Sequence, residues 1–186
     1  MTIGISGAPG SFSEQATLKF AEKNKIADPK IDFLVSVENV LTKLEAGEID
    51  YGVFPIENSI GGVVIEAVYA MAPHQFVIKE LFEIEVNQNL LALKGVNPSD
   101  ITSITSHDQA LKQCRMYLKR MWPETDMVPY ADTALAAKDL AEGKLPKTTA
   151  VIASMRAAEM YGLDVLEEKI QDLKFNYTVF VAAVKK

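Results

Sequence analysis

An α/β fold made of two small lobes is what this sequence predicts, and three observations lead to it. Short apolar runs alternate with amphipathic segments of helical length along the whole chain, the order expected of α/β units with mostly parallel sheets. The stretches "SVENVLTKLEAGEIDYGVFPIENS" and "DTALAAKDLAEGKLPKTTAVIAS" both run helix, glycine-containing helix end, strand and polar terminus. That likeness suggests two sister lobes rather than a repeat array. The length agrees, since 186 residues suit one globular unit whose two lobes share a core.

The elements follow in order. "TIGIS" reads as a short strand and the segment from about Ser13 to Lys23 as a helix. "IDFLVS" is a strand, "VENVLTKLEAGE" a helix and "DYGVFPIE" another strand. "GGVVIEAVYAMA" is helical, and "FVIKELFEIEVNQNLLAL" is an extended stretch long enough to cross between lobes. The pattern then restarts: strand "ITSITS", one helix over "DQALKQCRMYLKRMW", strand "DMVPY", helix "TALAAKDLAEGK", strand "TTAVIA" and helix "MRAAEMYG". The last strand, in "FNYTVFVAAVKK", returns to the first lobe. The expected division is 1–79 plus 174–186 for one lobe and 80–173 for the other. "LKGVNPSD" and "MWPETD" read as turns, and no Pro-, Gly- or Ser-rich linker separates the lobes.

Composition narrows the function classes. With 48% hydrophobic and 24% charged residues the chain is an ordinary soluble domain. A net charge of −6 argues against general nucleic-acid binding, which needs clustered Lys and Arg. Cys114 stands alone, so no disulfide forms within the chain and the cytoplasm is the expected compartment. "MTIGISGAPG" lacks the basic start and long apolar core of a signal peptide, and "GGVVIEAVYAMAP" is too short to span a bilayer. His74 and His107 have no Cys or His partner at ligand spacing, so no metal site is expected. "GISGAPG" lacks the spacing of a dinucleotide or phosphate loop.

Ligands of open α/β sheets sit where strands end and helices begin. Applied here, that rule selects "SGAPGSFSE", "IENSIGG", "SHDQ", "YADT" and "ASMR". Ser11 with Glu14, and Ser106 with Gln109, fit capping boxes, and a serine at a helix start commonly serves as a cap alone. Glu57, Asn58 and Ser59 put three polar groups straight after an apolar strand, which turn chemistry also explains. Ser106, Gln109 and Gln113 share one helix face by i, i+3, i+7 spacing, a pattern equally suited to a solvated face. In the last strand Asn176, Thr178 and Phe180 share one side, while Tyr177, Val179 and Val181 share the other. Two polar groups on a buried strand need hydrogen-bond partners. Cys114 reads as packing.

Taken together, "GAPGSFSEQA", "GEIDYGVFPIENSIGG", "TSHDQALKQC", "ADTALAA", "AAEMYGLDVL" and "IQDLKFNYTVF" resemble, in this order and over nearly the whole chain, the prephenate dehydratase family. The resemblance implies a catalytic domain of two periplasmic-binding-protein-like lobes with a cleft between them. It also implies conversion of prephenate, a small dicarboxylate, to phenylpyruvate without cofactor or metal. On it, Thr178 is the expected proton donor to the leaving hydroxyl, with Asn58, Ser106 and Gln113 as catalytic polar partners orienting the substrate. Ser11, Ser13, Glu57, Ser59 and Asn176 are expected on the binding side, and Asp172 and Asn176 are expected to order the last strand. The family often forms dimers, so a homodimer is expected, with no membrane or nucleic-acid partner.

Departures from the family pattern bear on the outcome. Val179 stands where the family has an arginine able to grip a carboxylate, "IGGVV" replaces an acidic and a serine position, and Gln88 replaces a usual histidine. No regulatory ACT domain follows Lys186, so feedback by phenylalanine within this chain is not expected. Two alternatives stay open: an enzyme resembling the non-aromatising prephenate decarboxylases, and a two-lobed module that binds small anions without chemistry. Prephenate and its amino analogue arogenate are not distinguished at this level.

Overall fold

The computed structural model describes residues 1–186, which form two compact units, 1–86 with 175–186 and 87–174. The division falls at Val86/Asn87 rather than 79/80 because the strand from Phe76 to Glu85 pairs along its whole length with the last strand of the chain.

Unit 1 contains β1 (Thr2–Ile5), α1 (Phe12–Lys23), β2 (Lys30–Phe33), α2 (Val37–Ala46), β3 (Tyr51–Asn58), β4 (Gly62–Val63), α3 (Ile65–Met71), β5 (Phe76–Glu85) and β11 (Tyr177–Lys185). Its sheet runs β2-β1-β3-β11-β5, with β4 beside β3. The β1–β2 and β1–β3 pairs are parallel, as the helix-linked pattern requires, but β3–β11 and β11–β5 are antiparallel. The expectation of mostly parallel sheets is therefore corrected to a mixed sheet: β11 is reached from unit 2 without the crossover helix that makes neighbouring strands parallel. "GGVVIEAVYAMA" divides into β4 and α3 rather than forming one helix.

β11 is buried on both faces. Phe180 and Ala182 pack with Ile3, Ile5, Phe20 and Val53, and Phe82 stacks on Phe180 with ring centroids 5.9 Å apart. Val181 and Ala183 pack on the opposite face with Val40, Leu41, Leu44 and Phe54. This burial explains why the strand is a nearly continuous apolar run from Val179 to Val184.

Unit 2 contains β6 (Asn89–Ala92), β7 (Ser103–His107), α4 (Asp108–Gln113), α5 (Arg115–Met121), β8 (Asp126–Tyr130), α6 (Thr133–Ala141), β9 (Thr149–Ala153), α7 (Met155–Tyr161) and β10 (Asp164–Glu167). The sheet order is β10-β6-β9-β7-β8, parallel at β7–β8 and β7–β9 and antiparallel at β6–β9 and β10–β6. Here too the sheet is mixed. The extended stretch read from Phe76 to Leu93 is two strands, β5 in unit 1 and β6 in unit 2.

The shared grammar of the two sister stretches is visible in their helix ends. Gly47 terminates α2 at φ 76°, and Gly143 follows α6 at φ 75°, a left-handed conformation open to glycine without Cβ strain. The single helix expected over 108–122 is broken at Cys114 (φ −108°, ψ 12°). The cause lies far away in sequence: Asp172 accepts hydrogen bonds from the amides of Met116 and Tyr117, at 2.8 and 2.9 Å, so α5 starts afresh with its own cap. No helix is long and apolar enough to cross a membrane.

Candidate active site

The candidate site in unit 1 begins with a proline in an inner strand. Pro55 has no N–H to donate, and β3 lies between β1 and β11. The ladder shifts there: Phe180 faces Pro55, but Val179 faces Glu57, leaving Ile56 as the extra residue of a β-bulge. In an uninterrupted ladder Thr178 would face Glu57. With the bulge it faces Asn58.

That shift assembles a polar cluster. Asn58 Nδ2 lies 2.9 Å from Thr178 Oγ1, 2.8 Å from Asn176 Oδ1 and 3.1 Å from the Tyr177 carbonyl. Its Oδ1 accepts from the amides of Ile60 and Gly61 at 3.0 and 2.7 Å. Three acceptors on one side and two donors on the other leave one sensible orientation for this amide. Asn176 is fully buried and Thr178 is 8% exposed. Ser59 stitches the same corner: its amide donates to the Tyr177 carbonyl at 2.8 Å, and its hydroxyl accepts from the Tyr177 amide at 2.9 Å. The structure thus brings Asn58, Ser59, Asn176 and Thr178 together. Glu57 is exposed and sits across from Val179, which has Glu83 of β5 opposite it on the other side.

Ser11 and Ser13 mark the start of α1. Ser11 Oγ accepts from the Glu14 amide at 3.3 Å, as the capping box requires, and Ser13 Oγ donates to the Ser6 carbonyl at 3.1 Å. The returning carboxylate of Glu14, itself 3% exposed, takes the Gly10 amide at 2.6 Å. One donor at the head of α1 is therefore already held by an internal anion. A Cβ on Gly7 would lie 2.6 Å from Ser11 Oγ, so glycine permits this tight corner.

Ser106 and Gln113 belong to unit 2. Ser106 does not cap a helix: it is the fourth residue of β7, has no exposed surface, and donates to the Ile152 carbonyl at 2.6 Å. His107 is the cap of α4, its Nδ1 accepting from the Gln109 amide at 3.2 Å. The shared helical face expected for Ser106, Gln109 and Gln113 is thereby corrected, since Ser106 is in a strand. Gln113 Oε1 accepts from Gln88 Nε2 at 3.0 Å.

Around that pair lies an amide network that sequence reasoning largely missed. The Gln88 amide donates to Gln171 Oε1 at 3.0 Å, Gln171 Nε2 donates to Asn87 Oδ1 at 3.0 Å, and the Asp172 amide donates to the Gln113 carbonyl at 2.8 Å. Asp172 caps α5 instead of ordering the last strand. Gln88 Oε1 is buried and has no hydrogen-bond partner. The signal was present in "VNQN" and "IQD", amide-rich runs at each end of unit 2.

The family model described as prephenate dehydratase matches residues 3–186. The chain is 33% identical over 181 residues to a bifunctional chorismate mutase/prephenate dehydratase of Stutzerimonas stutzeri, covering 97% of this chain and 48% of that protein. It is 38% identical over 181 residues to the chloroplastic arogenate dehydratase 5 of Arabidopsis thaliana, covering 97% and 41% respectively. The chain thus spans about half the length of these curated relatives. Among solved structures it resembles a prephenate dehydratase from Arthrobacter aurescens in complex with L-Phe, with TM-score 0.91, 32% identity, and all of this chain against 60% of that one. A lipoprotein of Bacillus subtilis matches all of this chain and 83% of its own at TM-score 0.50 and 16% identity, a likeness of fold alone.

Proposed function

This chain belongs to the prephenate dehydratase family, and on that premise we propose that it converts prephenate to phenylpyruvate, with loss of water and carbon dioxide, in phenylalanine biosynthesis. The ring carboxylate leaves as carbon dioxide, its bonding pair moves into the ring, and the ring hydroxyl departs as water after gaining one proton. Aromatisation drives the reaction. The protein has to hold two carboxylates and supply that proton.

One observation carries the reading: the Asn58 side-chain amide donates to Thr178 Oγ1 at 2.9 Å. The bond uses an oxygen lone pair and leaves the hydroxyl proton of Thr178 available to the leaving group. The same N–H supports the negative charge that grows on Oγ1 as the proton moves. A threonine hydroxyl is a weak acid, so its transfer accompanies C–O cleavage and no free alkoxide forms. Asn58, Asn176 and Ser59 act as positioning residues in this proposal, through the bonds that tie them to Thr178 and Tyr177 within unit 1. Ser11, Ser13 and Ser106 serve the fold through the bonds described above. The proposal includes a cytoplasmic homodimer, supported by the single buried cysteine and by exposed Ile78 and Leu81 on the edge strand β5.

A second substrate, arogenate, is favoured by the 38% identity to a protein described as an arogenate dehydratase. Incubating the purified chain with each substrate and following phenylpyruvate or phenylalanine tests both. Thr178→Ala is expected to lower kcat by about 10²–10⁴-fold while leaving the fold intact. Full activity in that variant removes Thr178 from the chemistry. A non-aromatic dihydro keto acid as product means decarboxylation without dehydration, and unchanged substrate means a binding module.

A further inference from the structure

The face of unit 2 formed by α4, α5 and β8 holds a groove of about 530 Å³, a size that suits a small organic ligand. Its floor is apolar, with Leu111, Leu118, Trp122 and Met127 contributing. Arg115, Leu118, Lys119 and Trp122 fall on one side of α5 and its end by i, i+3, i+4, i+7 spacing, so cations alternate with apolar groups along one wall. The other wall is β8, an edge strand whose Pro129 lacks the N–H for a further strand to use.

The charges are uneven. Lys112 is paired with Asp108 at 2.5 Å, whereas neither Arg115 nor Lys119 is ion-paired, in a protein of net charge −6. Trp122 is already oriented: its indole N–H donates to the Tyr117 hydroxyl at 3.4 Å, and that hydroxyl donates to Glu167 at 2.6 Å. With its polar edge satisfied, the ring offers the groove hydrocarbon surface. An unpaired guanidinium and ammonium beside a Trp–Met–Leu floor match a ligand that has a flat apolar body and one negative end.

We propose that this groove binds an aromatic carboxylate, ring on Trp122 and Met127 and carboxylate on Arg115 and Lys119. The reaction proposed above yields a member of this class, but the site stands on the geometry of unit 2 alone and does not depend on that reaction.

Trp122 is the sole tryptophan, so its fluorescence reports the site directly. The experiment titrates the chain with 3-phenylpropionate and, separately, with the uncharged 3-phenylpropanol. The expected result is a saturable fluorescence change with the acid, in the millimolar range or tighter. Binding should weaken about five- to tenfold for the alcohol and in the Arg115→Ala/Lys119→Ala double variant, by loss of the charge-assisted contacts. Both substituted residues are exposed, and circular dichroism checks that the variant is folded. No saturable change, or equal affinity in the double variant, overturns the proposal.

Discussion

Replacing Asn58 by aspartate tests the proton-delivery geometry with hardly any change in shape. The new side chain keeps the oxygen that accepts from the Ile60 and Gly61 amides, but it turns the amide nitrogen into a second acceptor. That oxygen would then lie about where Nδ2 sits, 2.8 Å from Asn176 Oδ1, 3.1 Å from the Tyr177 carbonyl and 2.9 Å from Thr178 Oγ1. Two N–H donors are lost, about 1 kcal/mol each, and carbonyl–carboxylate repulsion adds to this, for a total of about 2–4 kcal/mol of stability. Thr178 responds by rotating its hydroxyl proton onto the carboxylate, a short charge-assisted bond that withdraws that proton from the leaving group. Activity should therefore fall about 10²–10³-fold in kcat with KM changed little. Urea unfolding and steady-state kinetics on the same preparation separate the two effects. Part of the lost kcat should return at low pH, where the new carboxyl is protonated and donates to Oγ1 again. A variant that loses stability as calculated but keeps its kcat would refute the argument that Thr178 delivers the proton under the direction of Asn58.

Three further outcomes are expected. His74 lies between Glu45 (2.8 Å) and Glu38 (3.0 Å), and the hydrogen bond to Glu45 is the main cause that raises its pKa above the ordinary histidine value, with the bond to Glu38 next. The stability this contributes is fully present below the unfolded pKa of about 6.5 and disappears as pH rises through the raised folded value, so urea midpoints of wild type and His74→Gln should converge on going from pH 6 to pH 9; parallel profiles would rule the clamp out. Asp172→Ala removes the cap of α5 and should cost about 1–2 kcal/mol in denaturant unfolding, with Asp172→Asn milder; an unchanged midpoint would mean water caps α5 equally well. Val179→Arg places a guanidinium between Glu57 and Glu83, on the side of β11 opposite Thr178, and should leave the ratio of kcat/KM values for prephenate and arogenate unchanged, whereas a shifted ratio shows that this side of β11 contacts the substrate.

How far the sequence reveals the structure differs from element to element, for physical reasons. The helix starts at Ser11 and Ser154 and the glycine-ended helices were legible because capping and left-handed glycines are local chemistry. Ser106 shows where local matching fails. A Ser-x-x-Gln pattern fits a capping box, yet His107 one residue on also offers an acceptor. Strand pairing of Ser106 with Pro129 carries β7 past the serine, whose hydroxyl then meets the Ile152 carbonyl. The break at Cys114 had no local signal, with neither glycine nor proline near it, because the group that ends one helix and starts the next is Asp172. The polarity of Asn176 and Thr178 was legible, and their need for partners followed from burial. Their partner was not, because it depends on a one-residue shift.

That shift explains why a neutral amide holds position 58. Asn176 is fully buried and Thr178 nearly so, which makes an unpaired charge at their partner costly to desolvate. A carboxylate would take the proton of Thr178, and an ammonium would need a counter-charge that Asn176 and Thr178 do not supply. Asparagine donates at any working pH, and its acceptor end is fixed independently by two backbone amides of the following turn. The orientation of the Thr178 hydroxyl is thus tied to the main chain through one side chain, and that side chain faces Thr178 because Pro55, in an inner strand, admits a bulge. The amino acid that looks least suited to a buried ladder is in this way the one that sets the register bringing Asn58 against Thr178.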